Sequence, residues 1–299
     1  MNQVDMDKTI VDKSLHPFYT KPAIADQCWN YLTDTLSLVN RTVQQMYFVE
    51  PSAGTGSFFK RLPVHRRFGI DLVPMCDEVL RQDFFQLTHL PHPSDETIII
   101  GNPPFGKRGK IAIAFFNHAA TLADIIAFIL PVNFRKYIVH KQLEESMQFI
   151  GRLPLPRDAF HLESGKSYSV NTEFQVWTRL PCNLDDMREH KPLPIRHQDF
   201  HIWQYNNTIG ALKVFENTFD FAVPCQGWQD YSRRVTDEKL CERNKQWILL
   251  KANNQDVLAR LQHLDYELLA RECGTAVPGF RKGDLVKAYS DQFDLETSG

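Results

Sequence analysis

Short apolar runs alternate with amphipathic stretches along this chain, and their periods name the elements. Thr97-Ile98-Ile99-Ile100 and the run at 124–130 are nearly continuous apolar segments of strand length, as expected of strands buried on both faces. Met46-Tyr47-Phe48-Val49, Arg67-Phe68-Gly69-Ile70, a segment at 79–81 and Phe174-Gln175-Val176-Trp177 read as further strands. Between them, residues 23–38 and 111–122 carry apolar positions at helical spacing, with Thr20 as the predicted cap of the first helix and Pro22 in its first turn. Phe58 and Phe59 begin a short helix, and another is predicted from Phe134 to about 147. Residues 157–170 read as a strand-and-loop excursion. Strands alternating with helices predict an α/β fold with a mostly parallel sheet covered on both faces.

The pattern weakens after Leu180. A linker is predicted at 183–198, where prolines and mixed charge show no period. The main domain then spans 16–182, preceded by a polar arm at 1–15, and a small C-terminal α+β domain fills 199–299. Its elements are short: mixed segments at 208–215, 219–223 and 247–251, a helical stretch at 255–269, and a last helix at 282–289 after Pro278-Gly279.

Composition narrows the class. The chain has 299 residues, 43% hydrophobic and 23% charged, which suits a folded protein with a sizeable core. A formal net charge of −2 means that a polyanionic partner must be met by local basic patches rather than by bulk charge. The six cysteines form no CxxC pair and no zinc-like cluster, so they read as reduced packing thiols and no metal is expected. The polar residues 1–13 resemble no targeting peptide, and the apolar run 125–132 is too short to span a bilayer. A cytoplasmic protein is expected.

The chemistry lies at strand ends. After the first strand comes Glu50-Pro51-Ser52-Ala53-Gly54-Thr55-Gly56, a turn in which glycines let the backbone approach a ligand. It lacks the lysine of a phosphate-binding loop and the third glycine of a dinucleotide fingerprint, and Glu50 suits a cationic group. Asp71 closes the next strand, where a carboxylate can accept ribose hydroxyls. Asp83, followed by Phe84 and Phe85, can meet an adenine amino group. Past Ile100 and Gly101 stands Asn102-Pro103-Pro104-Phe105-Gly106. Two prolines give up two backbone donors and form a stiff ledge with free carbonyls, an amide and a flat ring. Such a ledge can hold a planar, amino-bearing group.

Glycine turn, acidic strand ends and Asn-Pro-Pro-Phe, in this order, resemble the S-adenosylmethionine-dependent N6-adenine methyltransferases that act on DNA, among them the modification subunits of restriction systems. The resemblance covers about residues 16–180. It implies a Rossmann-like class I methyltransferase fold with a mainly parallel seven-stranded sheet, and S-adenosylmethionine as cofactor. Residue by residue it implies that Tyr19, Thr20 and Pro22 form an N-terminal cofactor segment, and that Glu50 faces the methionine moiety. Ala53, Gly54 and Gly56 wrap the cofactor, Asp71 takes its ribose, Leu72 lies beside its adenine, and Asp83 and Phe84 contact that adenine. Asn102, Pro103, Pro104 and Phe105 are implied as the catalytic ledge, with Pro131 beside the pocket.

The groups suggest a mechanism. Asn102 Oδ1 and the Pro103 carbonyl can each accept one N–H of an adenine amino group, while Phe105 stacks on the ring and positioning lowers the barrier. Phe160 or Tyr168 is expected to cover the other face, and a base within a duplex must be flipped out. Lys107, Arg108 and Lys110 are placed to meet phosphates beside it. Arg233-Arg234 and Arg281-Lys282 are candidates for sequence recognition. Double-stranded DNA is the expected partner, with a specificity or partner subunit compatible. RNA adenine methylation, protein glutamine methylation and a non-catalytic cofactor-binding role are the alternatives.

Overall fold

The computed structural model describes residues 18–92 and 96–294. The arm at 1–15 lies outside the described residues. The chain divides into two compact units, Met1–Glu189 and His190–Gly299.

In the first unit β2 (Tyr47–Glu50) lies between β3 (Arg67–Asp71) and β5 (Thr97–Gly101), parallel to both. The parallel array continues to β4 (Leu80–Arg81) on one side and β6 (Ile125–Pro131) on the other. β10 (Thr172–Thr178) then runs antiparallel between β6 and β7 (Gln148–Pro154). The seven-stranded order is β4-β3-β2-β5-β6-β10-β7. This mainly parallel sheet with one reversed strand is the class I methyltransferase fold, as expected from the sequence.

Alternation along the strands divides the core into two layers. Phe48, Ile98, Ile100, Ala127 and Ile129 pack under α1 (Pro22–Leu38) through Ile24, Ala25, Cys28, Leu32 and Leu36. Val49, Ile99, Ile126, Phe128 and Leu130 pack under α2 (Lys110–Ala120) through Ala112, Phe115, Phe116 and Ala119. Every residue of β5, β6 and β10 is buried, which explains the unbroken apolar runs of the first two. Strand order reverses between β2 and β5, and such sheets bind ligands at the carboxyl ends of strands at that point. Glu50 and Asn102 stand at those ends.

Several expectations are corrected. Thr20 belongs to β1 (Phe18–Thr20), and Lys21 occupies the cap position of α1 without a side-chain bond. The helix expected at Phe58 is a single 3₁₀ turn, Phe59–Arg61. The helix expected to reach 147 is one turn, α3 (Tyr137–His140). The Arg188 guanidinium donates to the carbonyls of His140, Leu143, Glu144 and Met147, drawing this segment into a turn from far along the chain. β7 was not anticipated. Its Gly151 breaks the apolar pattern because a Cβ there would lie 2.8 Å from the Tyr31 hydroxyl. The excursion at 157–170 is a hairpin of β8 (Phe160–Leu162) and β9 (Ser167–Tyr168), and β8 pairs antiparallel with β1.

The second unit holds an antiparallel sheet of β11 (Phe200–Tyr205), β13 (Trp247–Ala252) and β12 (Phe221–Pro224), in the order β11-β13-β12. Phe200, Ile202, Val223, Ile248 and Leu250 pack against α4 (Gln255–His263), α5 (Tyr266–Cys273) and α6 (Lys282–Phe293). The helical stretch read at 255–269 is broken between α4 and α5, where Asp265 caps the second helix by accepting from Leu268 N–H. Among the described residues no helix is long and apolar enough to cross a membrane.

Candidate active site

Glu50 ends β2 with only 2% of its surface exposed. The Phe59 backbone N–H meets its carboxylate, yet Oε2 has no hydrogen-bond partner among the described residues. Burial pushes this carboxyl well above the usual carboxylate range, and the neighbouring Asp71 pushes it the same way. Beside it on β5, Gly101 brings its backbone close: a Cβ there would lie 3.4 Å from Glu50 Cγ.

The glycine turn wraps around the end of β3. Asp71 Oδ2 accepts from Gly54 N–H at 2.8 Å and Oδ1 from Val73 N–H at 2.8 Å. Gly54 and Gly56 both adopt positive φ, 49° and 77°, the left-handed region that glycine enters without strain. Tyr19 closes over the turn, since a Cβ on Gly54 would lie 3.2 Å from its ring. Thr20 is buried, its Oγ1 without a partner among the described residues and its carbonyl accepting from Ser57 Oγ at 2.8 Å. Pro22 opens α1, Ala53 is buried and Leu72 is 44% exposed. The structure thus gathers Tyr19, Thr20, Ala53, Gly54, Gly56 and Asp71 about one turn.

The Asn102 ledge follows β5 directly. Asn102 O accepts from Ser52 Oγ at 3.2 Å, tying the ledge to the turn after Glu50. Asn102 Oδ1 is buried with no hydrogen-bond partner among the described residues. Gly106, at φ 66°, ends the ledge; a Cβ there would lie 2.5 Å from Ile111 Cγ1, so any side chain would force α2 away. Pro103 is buried, whereas Pro104 and Phe105 are half-buried.

Phe105 belongs to an aromatic group that β1 and the β8–β9 hairpin assemble. Phe18 meets Phe105 edge-on at 5.1 Å, Phe160 edge-on at 5.0 Å, and stacks on Tyr168 at 4.8 Å. Both predicted cover residues therefore come to the ledge's neighbourhood through Phe18. Phe160 itself is fully buried, and Tyr168 is 37% exposed. Phe18 is the member of this group for which the sequence predicts no role. Its position depends on the Phe18–Leu162 register, which no local pattern reveals.

Asp83 and Phe84 are placed differently. Asp83 Oδ1 caps the short turn Phe84–Gln86 by accepting from Phe85 N–H. The Phe84 ring is buried against Phe115 and His118 of α2. Lys107 and Arg108 on the turn after the ledge and Lys110 at the start of α2 are exposed, and among the described residues they form no ion pair. Arg108 sits at φ 58°, a conformation unusual for a residue with a Cβ.

No protein-family model matches the chain, and no curated protein matches it in sequence. Solved structures do resemble it. A Pyrococcus horikoshii protein proposed to be an RNA methyltransferase is 13% identical, over 56% of this chain and 89% of its own, with a TM-score of 0.42. The M protein of the type I restriction enzyme EcoKI is 13% identical, over 97% of this chain and 74% of its own, with a TM-score of 0.37. Magnesium protoporphyrin IX methyltransferase from Synechocystis is 12% identical, over 53% and 79%, with a TM-score of 0.35. With superposition scores this low, these likenesses bear on neither activity nor substrate.

Proposed function

We propose that this chain transfers a methyl group from S-adenosylmethionine to the N6 amino group of adenine in DNA. One observation carries the reading: two buried oxygens, Glu50 Oε2 and Asn102 Oδ1, stand at the ends of neighbouring strands without a donor among the described residues. A buried acceptor left unpaired costs about 1–3 kcal/mol, so such groups call for an explanation. A bound ammonium group at Glu50 and a bound amino group at Asn102 would supply the missing donors.

The residues fit S-adenosylmethionine. Glu50 and the unpartnered Thr20 Oγ1 suit its methionine end, the Gly54–Gly56 turn admits close backbone approach, and Asp71 suits its ribose. Bound there, the cofactor supplies an electrophilic methyl group on a sulfonium. Leu72, exposed beside Asp71, offers apolar cover to an adenine ring. Asp83 and Phe84 support the neighbouring wall, Asp83 by fixing the turn and Phe84 by filling the layer beneath it.

Asn102 Oδ1 accepts one N–H of the target amino group, and the Pro103 carbonyl accepts the other. Holding both hydrogens in this way turns the nitrogen lone pair out of the ring's conjugation. The diproline keeps the acceptors in place, so little reorganisation is needed as charge develops. Phe105 stacks on the base and Tyr168, with Phe18, borders it. Lys107, Arg108 and Lys110 are free to meet phosphates.

The test offers radiolabelled S-adenosylmethionine with unmodified duplex DNA, total RNA and cell protein in parallel. Label enters DNA with the wild type and falls about 10²–10³-fold with Asn102→Ala, the scale of losing one preorganised polar group. Transfer to RNA or protein alone overturns the proposal.

A further inference from the structure

The second unit holds a cavity of about 480 Å³ along β11, at the edge of its sheet, where the loop before it and the start of α6 meet. Arg196, Lys282, His197, His201, Trp203 and Ile195 line it, together with two core residues, and no carboxylate is among its lining residues. In a chain whose net charge is −2, this is a local concentration of positive and aromatic groups. Arg196 is exposed and Lys282 half-buried, and among the described residues neither forms an ion pair or a side-chain hydrogen bond. His201 and Trp203 stack at 5.8 Å and 27°, because alternate residues of a strand share one face.

Two other candidate cations of this unit, Arg233 and Arg234, are already engaged. Arg234 donates to the carbonyls of Tyr231 and Ser232 and lies 4.3 Å over the Tyr266 ring. Arg233 pairs with Glu242 at 3.1 Å and lies over Trp247. His197 is equally occupied: its Nδ1 accepts from Asp199 N–H, and Nε2 lies 3.2 Å from Asp294. The imidazole is thus a fixed wall of the cavity, close to Asp199 and Asp294.

We infer that this cavity is a second contact site for the DNA backbone, with Arg196 and Lys282 on phosphates and the His201–Trp203 pair against a sugar or base. The inference rests on the reading of the chain as acting on DNA, and it supplies that reading with a grip on the polymer that the Asn102 ledge lacks. Unpaired cations beside a stacked aromatic pair are the combination that binds nucleic acid strands, the cations by releasing counterions and the rings by stacking.

The test measures fluorescence anisotropy of a labelled duplex DNA over a salt series, with the full chain. Arg196→Glu/Lys282→Glu raises Kd at least about tenfold and lowers the log–log salt slope by about 2, as expected for two lost phosphate contacts. Melting temperature and S-adenosylmethionine affinity stay at the wild-type values, and Arg196→Lys/Lys282→Arg restores binding. An unchanged Kd and slope overturns the inference, as does an equal loss from Lys213→Glu, an exposed charge of the same unit outside the cavity. Tighter binding of RNA than of duplex DNA, lost in the same variant, also overturns it in favour of an RNA grip. If charge reversal weakens DNA binding while the wild type transfers no methyl group, the site stands and the catalytic reading falls.

Discussion

Two buried glutamates of the same sheet have opposite surroundings. Glu173, on β10, is fully buried and fully answered: Arg135 Nε lies 2.5 Å from Oε2, Arg152 reaches it at 3.7 Å, and Gln175 donates to Oε1 at 2.6 Å. Gln175 in turn accepts from Trp177 Nε1, so a polar ladder runs along the strand. Glu50, at the end of β2, is as deeply buried, but its Oε2 has no donor among the described residues and burial raises its pKa. The first carboxylate is satisfied within the fold. The second is not, among the described residues, and it stands where strand order reverses.

Breaking the answered carboxylate tests stability. Glu173→Ala strips two arginines of their shared counterion, and removing one partner of a buried pair costs about 3–5 kcal/mol. The loss falls near the lower figure because both arginines reach solvent, and urea denaturation at neutral pH measures it. A change under about 1 kcal/mol would mean that the ladder is ornamental.

Asp71→Asn probes the ligand side. The substitution keeps one oxygen for Gly54 N–H but removes the charge, so S-adenosylmethionine affinity falls about tenfold by calorimetry, the scale of a charge-assisted hydrogen bond. The melting temperature of the ligand-free protein changes little. Parallel loss of fold and affinity would make Asp71 a structural residue.

Glu50→Gln has the smallest effect on the fold and reverses its sign. A carboxyl whose folded pKa is raised stabilises fully below its unfolded value, about 4.3, and loses that contribution as pH rises through the folded value. At neutral pH the ligand-free wild type therefore bears a cost that glutamine does not. Glu50→Gln raises the melting temperature by a few degrees at pH 7, with the gap closing toward pH 4, while cofactor affinity drops. A variant less stable at pH 7 would show Glu50 to be answered after all.

The difference between the two glutamates also marks what the sequence could reveal. The ledge and the glycine turn were legible because their information is local: an apolar strand, a glycine at positive φ and two prolines stand within a few residues of one another. The fold class followed from the same runs. β7 escaped because Gly151, required by Tyr31, interrupts it, and the one-turn α3 because Arg188 gathers carbonyls from 41 to 48 residues away. Phe18 escaped for the same reason: its partners arrive through the pairing of β1 with β8. Nothing in the text of the chain distinguished Glu173 from Glu50 by their partners, since the Arg135–Glu173 pair spans 38 residues.

The central claim is that the donor-free Asn102 side chain receives an adenine amino group. Duplex DNA treated with the protein and S-adenosylmethionine, digested to nucleosides and separated by mass spectrometry, tests it most directly. The account predicts N6-methyldeoxyadenosine from the wild type and about 10²–10³-fold less of it from Asn102→Ala. Methylated cytosine, or no methylated nucleoside from a folded protein that binds the cofactor, would contradict it.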